Sequence, residues 1–112
     1  MSFNKKEFDE EIKNIIKKFY KIISKNSKKG LYNLLDDNFK KNISMKKFII
    51  YPKYELSLGK LKNIKIENVN KKSKRAMVRT TYIRKGELND ENIYLVYQDE
   101  GWRIDGEMLF RH

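Results

Sequence analysis

The carboxylates are the first side chains to consider for catalysis or metal binding. Asp36 and Asp37 are adjacent, and paired carboxylates can act as general acid and base or hold a cation. No third acidic residue follows them at the spacing of a calcium loop, so we expect no metal site and no cofactor. At a helix end followed by Asn38, such a pair is more typical of loop residues that bond the local backbone.

Other titratable groups give little support for an enzyme. His112 is the only histidine and the last residue, a poor position for a preorganised catalytic group. Glu67, Asp105 and Glu107 have Lys or Arg neighbours, which favours surface ion pairing. The chain has no nucleotide-binding loop, no Ser/His/Asp order and no zinc spacing. We therefore predict a protein that is not an enzyme, with no catalytic residue.

Basic side chains could instead bind a polyanion such as a nucleic acid. The formal net charge is +11, and residues 1–75 hold 21 of the 26 basic groups but only 8 of the 15 acidic ones. Lysines recur every fourth residue along one predicted helix, and a basic turn covers 71–75. The candidate anion-binding residues are Lys13, Lys17, Lys21, Lys71, Lys72, Lys74 and Arg75. The alternative is a solvated face, since 21 of the basic residues are Lys and phosphate sites usually favour Arg.

Length and composition indicate one globular domain spanning residues 1–112. The chain is 39% hydrophobic and 12% aromatic, enough for a core without disulfides at this size. There is no cysteine, which excludes a thiol nucleophile and fits a reducing compartment. The N-terminus has no apolar core of signal-peptide length and no run approaches a membrane span, so we expect a cytoplasmic protein.

The N-terminal segment must position whatever site exists. Residues 4–25 place seven large apolar residues at helical spacing, which predicts a long amphipathic helix. Asn4 and Glu7 form a capping box, and Phe3 with Phe8 forms a hydrophobic staple. We therefore expect this helix to lie across the rest of the fold.

Two shorter helices are predicted next. Ser27 can cap the first of them, and the polar run 36–38 is expected to end it. Ser44 can cap the second, which should begin at Met45 and stop before Pro52. An irregular link then leads to the sheet.

Period-two alternation predicts four antiparallel strands in the second half. The first covers about 61–70, with an irregularity near its end, and the second covers about 75–85. A turn is expected at 86–90. Segment 91–107 then reads as a hairpin in which Gly101 supplies a turn with positive φ. In this hairpin Trp102 could plug the end of the core, and the remaining tail should dock or fray.

Three helices followed by a four-stranded meander is an arrangement that few folds share. The order and the closing "YLVYQDEGWRIDG" resemble the nuclear transport factor two-like superfamily, the cystatin-like cone, and its small bacterial non-catalytic branch. "AMVRTTY" at Ala76–Tyr82 resembles the preceding strand, and "LYNLLDDNF" at Leu31–Phe39 the second helix and its exit. The matching residues of the last strands are Leu95, Val96, Gly101, Trp102 and Ile104.

The resemblance implies an α+β fold, in which a long N-terminal helix and two short helices pack on a curved four-stranded antiparallel sheet to form a cone-shaped roll. Such a cone usually has an apolar pocket. Some members are ketosteroid-isomerase-like or polyketide-cyclase-like enzymes, and many are binding or accessory domains, so fold alone does not choose. Tyr20, Asp36 and Asp37 lie where enzymatic relatives place polar groups, but no motif matches residue by residue.

Aromatic side chains suit a lined pocket better than a catalytic site. Those we expect at a pocket between helices and sheet are Tyr20, Phe48, Tyr51, Tyr54, Tyr82 and Trp102. Tyr51 and Tyr54 flank Pro52 near the expected mouth and are the best candidates for contacts to a small apolar or planar ligand. The alternative is that these rings are ordinary core.

The opposite sheet face also carries apolar residues, which one helical layer cannot cover. They are Met77, Thr81, Ile83, Tyr94 and Val96. Because superfamily members often pair through this face, we predict a homodimer. The sequence thus favours a non-enzymatic binding or accessory domain. A polyanion-binding module and an isomerase- or cyclase-like enzyme are the alternatives.

Overall fold

A computed structural model of the protein describes residues 5–111, with side chains described from Phe8 onward. The helices are α1 (Lys5–Ser24), α2 (Lys28–Leu34), α3 (Asp37–Asn42), α4 (Met45–Ile50) and α5 (Gly106–Leu109), with a 3₁₀ turn at Pro52–Tyr54. The strands are β1 (Lys60–Asn70), β2 (Arg75–Arg84), β3 (Glu87–Gln98) and β4 (Gly101–Ile104). The predicted α+β class, with helices packed on a four-stranded antiparallel sheet, is confirmed.

The long helix α1 forms as its apolar spacing predicts. Ile12, Ile16 and Phe19 are fully buried, while the lysines of the opposite face are exposed. No helix within the described residues is long and apolar enough to cross a membrane. The predicted capping box and staple involve residues 3, 4 and the side chain of residue 7, which lie outside the described part of the chain.

The four strands run in the order β1-β2-β3-β4. One face of β2 is buried under the helices: Ala76, Val78, Thr80 and Tyr82. Two register shifts interrupt the β1 pairing, one between Leu61 and Asn63 and one between Ile66 and Asn68. The predicted irregularity near the end of β1 is therefore confirmed.

Two of the three turns of the sheet differ from the prediction in detail. The turn expected at 86–90 contains only Lys85 and Gly86, with φ of 53° and 79°, because residues 87–90 pair with β2 instead. In the last turn, Asp99 and Glu100 have φ of 49° and 62°. Gly101 already belongs to β4, so the expectation that it supplies the positive φ was wrong. A two-residue hairpin requires positive φ at both central residues.

Residues 36–38 follow the end of α2, as expected, but they also begin a helix, α3, that the sequence pattern did not predict. Asp36 is the N-cap of α3, and its carboxylate accepts the N–H of Phe39 at 3.2 Å. The same residue reaches across the fold: its backbone N–H donates to the Ile104 carbonyl at 2.9 Å. Leu35, next to it, forms a parallel bridge with Ile104. The segment after α2 therefore ties the helices to β4.

The tail after β4 docks. Asp105 caps the short helix α5 by accepting the N–H of Met108 at 3.1 Å. Phe110, just beyond, is buried against Phe39 and Phe48, with ring centroids 5.9 Å and 5.6 Å away. The C-terminal segment thus completes the core beneath α3 and α4.

Candidate functional site

A groove of about 430 Å³ opens where the end of α1, the start of α2 and the link after the 3₁₀ turn meet. Its apolar lining consists of Ile23, Leu31, Tyr54 and Leu56. Its polar lining consists of Asn26, Ser27, Lys28, Glu55 and Ser57. Apolar walls with a few polar groups at the rim are typical of small-molecule sites.

Local turn chemistry shapes the upper rim of this groove. Asn26 adopts φ of 54°, which an Asn side chain tolerates better than most, and this ends α1. Ser27 then caps α2 by accepting the Gly30 N–H at 3.1 Å. The cap holds Ser27 and Lys28 at the rim, because Ser27 is the N-cap and Lys28 the first residue of α2.

One aromatic residue that lines the groove, Tyr54, belongs to a cluster of packed rings. Phe48 is fully buried and stacks on Tyr54, with ring centroids 5.4 Å apart. Tyr51 also stacks on Tyr54, with ring centroids 6.3 Å apart and an interplanar angle of 8°, yet Tyr51 is 44% exposed. Phe48, Tyr51 and Tyr54 are thus brought together, but of these three only Tyr54 lines the groove.

One cation stands at the groove. Lys28 Nζ donates to the Phe48 carbonyl at 3.2 Å and lies 5.2 Å from the centroid of the Phe48 ring. Both contacts hold the ammonium group of Lys28 over the Phe48 ring. Glu55 lines the groove too, but it is exposed. The groove therefore offers apolar area together with an oriented positive charge.

Tyr20 and Tyr82 lie elsewhere, between α1 and the sheet. Their ring centroids are 6.0 Å apart, and Tyr20 Oη is 2.6 Å from Thr80 Oγ1. Thr80 donates its only hydroxyl proton to the Glu91 carbonyl at 2.9 Å, so Tyr20 must be the donor to Thr80. Burial raises the pKa of Tyr20 to about 12; the Thr80 hydrogen bond lowers this pKa, and the charges of Glu91 and Tyr82 raise it.

Trp102 belongs to a third cluster. It is buried, as predicted, against Phe8 and Tyr97, with ring centroids 5.5 Å and 5.3 Å away. The six aromatic residues predicted to share one pocket are therefore divided among three places. The groove residues that sequence reasoning missed are Ile23, Asn26, Ser27, Lys28, Leu31, Glu55, Leu56 and Ser57. Of these, only Ser27 carried a signal, as a helix cap.

The carboxylates considered for chemistry have structural partners. Asp36 accepts two backbone N–H groups, those of Phe39 and Gly106. Asp105 caps α5 and pairs with Arg75 at 3.0 Å. Both line a second cavity of about 430 Å³ beside α3 and α5. Among the described residues, no group of three or more His, Cys, Asp or Glu side chains is placed to hold a metal ion.

The seven candidate anion-binding residues are all exposed, and they form two groups. Three lie on α1, three lie in the turn between β1 and β2, and Arg75 is the first residue of β2. In that turn Asn70 accepts the N–H groups of Lys72 and Ser73, each at 3.0 Å. Arg75 is already held by Asp105. The polyanion hypothesis stays a prediction.

No protein-family model, curated protein or solved structure matches this chain. The resemblance to the nuclear transport factor two-like superfamily therefore stays a prediction too. The groove is the feature from which a function can be argued.

Proposed function

We propose that the protein is a non-catalytic binding or accessory module whose groove beside Tyr54 takes a small, largely apolar ligand. The observation that carries this proposal is the groove itself, about 430 Å³ and lined by Ile23, Leu31, Leu56 and Tyr54, whose ring is held by stacking on Phe48. Sites for small molecules usually measure roughly 300–1,000 Å³. A binding role is also favoured because Asp36 and Asp105 both have backbone N–H groups to cap.

The ligand should combine a planar apolar body with an anionic or acceptor group. The body would pack on Tyr54 and Leu31, and the acceptor would meet Lys28 at the rim. Because Lys28 is only partly exposed, its attraction for an anion is screened less than that of a free surface lysine.

The test uses 1-anilinonaphthalene-8-sulfonate, a planar probe with a sulfonate, and its neutral analogue N-phenyl-1-naphthylamine. Ser57→Trp should fill the groove and weaken the binding of both probes at least about tenfold. Ser73→Trp, at an exposed serine in the β1–β2 turn, is the matched control and should bind both probes normally. Equal binding by the two variants would contradict the proposal.

A second comparison tests the polar contact. Lys28→Met should weaken the sulfonated probe by about fivefold and leave the neutral probe nearly unchanged, a difference of roughly 1 kcal/mol for one ion pair. Lys29→Met removes the neighbouring exposed charge, which does not line the groove, and should change neither. If Lys29→Met has the same effect as Lys28→Met, the groove is not selecting the anion.

We also propose that the protein forms a homodimer through the outer sheet face. On this face Met77, Ile83, Tyr94 and Val96 are only half-buried, and Leu88, which pairs with Ile83, is 69% exposed. Light scattering should give twice the chain mass of 13.6 kDa, and Leu88→Lys should return it to the monomer. A monomer at every concentration would remove the proposal.

We further place the protein in the cytoplasm. The chain has no cysteine, which fits a reducing compartment. Fractionation of cells that express the natural gene, with cytoplasmic and exported marker proteins as controls, is the test. Recovery with the exported markers would contradict this location.

A further inference from the structure

Three consecutive large apolar side chains are exposed at the end of α4. Ile49 is 42% exposed, Ile50 61% and Tyr51 44%. Within the described chain the only other exposed large hydrophobic residue is Leu88. Single exposed apolar residues are common on proteins, but a contiguous group marks an interaction surface. We call Ile49–Tyr51 the apolar tip.

The apolar tip is held rigidly by the core below it. Phe48 anchors α4 in the aromatic cluster, and Ser44 caps the helix by accepting the Lys47 N–H at 3.3 Å. Tyr51 ends α4, and its ring stacks on the buried Tyr54. Because these contacts already fix the tip, contact with a partner would order few additional side chains.

The chain on both sides of the apolar tip is rich in lysine. Residues 38–54 contain five lysines and no acidic residue. Lys46, Lys47 and Lys53 are exposed within a few residues of the tip. Apolar residues flanked by lysines complement a surface that is negatively charged outside and apolar beneath. An anionic lipid bilayer has this structure.

We propose that the apolar tip docks the protein on anionic membranes. Ile49 and Ile50 enter the boundary between headgroups and acyl chains, Tyr51 lies at headgroup level, and the three lysines contact anionic headgroups. A protein partner fits less well, because a stable interface usually takes about 20–30 residues from each side. This docking is independent of ligand binding in the groove.

Vesicle co-sedimentation tests the docking. Phosphatidylcholine vesicles containing about 30% phosphatidylserine, a strongly anionic surface, should retain the protein, and pure phosphatidylcholine vesicles should not. Ile50→Ser should lower the partition coefficient about tenfold by removing inserted apolar area. Leu88→Ser, at the other exposed apolar residue, is the matched control. Because Leu88 also lies on the proposed dimer face, the comparison uses a protein concentration at which light scattering shows both proteins to be monomers, and Leu88→Ser should then bind like the wild type.

Charge removal separates local docking from general attraction to a basic protein. The triple change Lys46→Gln, Lys47→Gln and Lys53→Gln should reduce binding about 100-fold, near fivefold per contacting lysine. The matched triple change at Lys13, Lys17 and Lys21 removes the same charge from α1. It should reduce binding less than about fivefold.

Insertion can be read directly by fluorescence. Trp102 is buried in the core, so Trp102→Phe supplies a background without tryptophan. In that background Ile50→Trp should be quenched by lipids brominated near the headgroup, and Leu88→Trp should not.

Several outcomes would overturn the proposal. These are equal retention by neutral vesicles, equal loss in the two lysine triples, wild-type binding by Ile50→Ser, and an Ile50→Trp ring that is not quenched. Conversion of a dimer to a monomer by Ile50→Ser would show that a second copy covers the tip. Groove binding is measured with soluble probes and Ser57→Trp, so either proposal can fail without the other.

Discussion

Removal of the Tyr20 hydroxyl should change stability with opposite signs at neutral and alkaline pH. Tyr20 is 4% exposed, and its hydroxyl donates at 2.6 Å to Thr80, which in turn donates to the Glu91 carbonyl. Tyr20→Phe removes the first bond of this chain and leaves the second. It also removes a group that resists ionisation in the folded state.

At neutral pH the variant should be less stable. A buried neutral hydrogen bond contributes about 0.5–1.5 kcal/mol, so Tyr20→Phe should lower the free energy of unfolding by about 1 kcal/mol. Thr80→Val should cost more, about 2–3 kcal/mol, because it leaves the Tyr20 hydroxyl buried without an acceptor. The double variant should lose about 1 kcal/mol less than the sum of the two single variants, because it has no Tyr20 hydroxyl left without an acceptor.

At alkaline pH the order should reverse. The folded-state pKa of Tyr20 is about 12 and its ordinary value is 10.0, so the folded protein holds the proton that the unfolded chain releases. Below pH 10 Tyr20 keeps its proton in both states, and its ionisation does not affect the free energy of unfolding. As the pH rises from 10 to 12, ionisation in the unfolded chain lowers the free energy of unfolding of the wild type, by about 2 kcal/mol at pH 12. Tyr20→Phe lacks this loss and should be the more stable protein near pH 12.

Urea denaturation followed by circular dichroism from pH 8 to 12 measures both effects. Because other groups also titrate in this range, only the difference between the wild type and Tyr20→Phe is interpreted. Tyr51→Phe, which removes an exposed hydroxyl, is the control and should not change the midpoint at pH 8. If the free energies of unfolding of the wild type and Tyr20→Phe, plotted against pH, ran parallel and did not cross, the reasoning would be refuted.

Three further predictions concern a core tryptophan, two glycines and a helix cap. Trp102 Nε1 has no hydrogen-bond partner within the described residues, so Trp102→Phe should cost about 1 kcal/mol and Trp102→Ala about 3–5 kcal/mol. Equal losses in urea denaturation would contradict this. Gly59→Ala places a methyl group on a backbone carbonyl of β2 and should lower the melting temperature more than Gly86→Ala. The latter has open space and only a positive φ, costing about 1–2 kcal/mol; the reverse order would count against the register of Gly59. Asp36→Ala should cost about 2–4 kcal/mol at neutral pH, because two backbone N–H groups lose their acceptor. Asp37→Ala, at an exposed carboxylate, should change chemical stability by no more than about 0.5 kcal/mol, and a similar loss in both would exclude the cap.

The elements that the sequence predicted well are those with strong periodicity. The first helix was expected at 4–25 and is described as Lys5–Ser24, because its apolar residues recur at helical spacing over several turns. The faces of β2 were also predicted, since alternation leaves no choice once one face is buried.

Elements governed by tertiary contacts were not predicted. Asp36 follows the end of α2 and caps α3; the sequence suggested bonds from this pair to the local backbone, but it did not predict α3 or the hydrogen bond from Gly106. Three of the four residues at 87–90 are polar and the segment follows a glycine, which is typical of a turn, yet pairing with β2 holds these residues in a strand. Here the backbone hydrogen bonds with a neighbouring strand outweigh the local preference for a turn.

Of the aromatic residues predicted to line a pocket, Tyr54 alone lines the groove, with Phe48 and Tyr51 packed beside it. Phe48, Tyr51 and Tyr54 lie within seven residues, so their proximity follows from the chain. Lys28 and Leu56 come from distant segments, and their approach depends on how α1 and α2 fold back. Tyr20, Tyr82 and Trp102 fill separate parts of the core, as large aromatic residues commonly do.

The two edge strands of the open sheet, β1 and β4, are protected against aggregation in different ways. A free strand edge offers unpaired backbone groups to any other extended chain. β4 has only four residues, and the bridge from Leu35 occupies part of its outer side. β1 is long, but it carries exposed Lys60, Lys62 and Lys65 and two breaks in register, which disfavour the addition of a fifth strand. Part of the lysine content thus has a use that involves no polyanion: it disfavours pairing between the β1 edges of two copies and leaves the sheet face available for the proposed dimer.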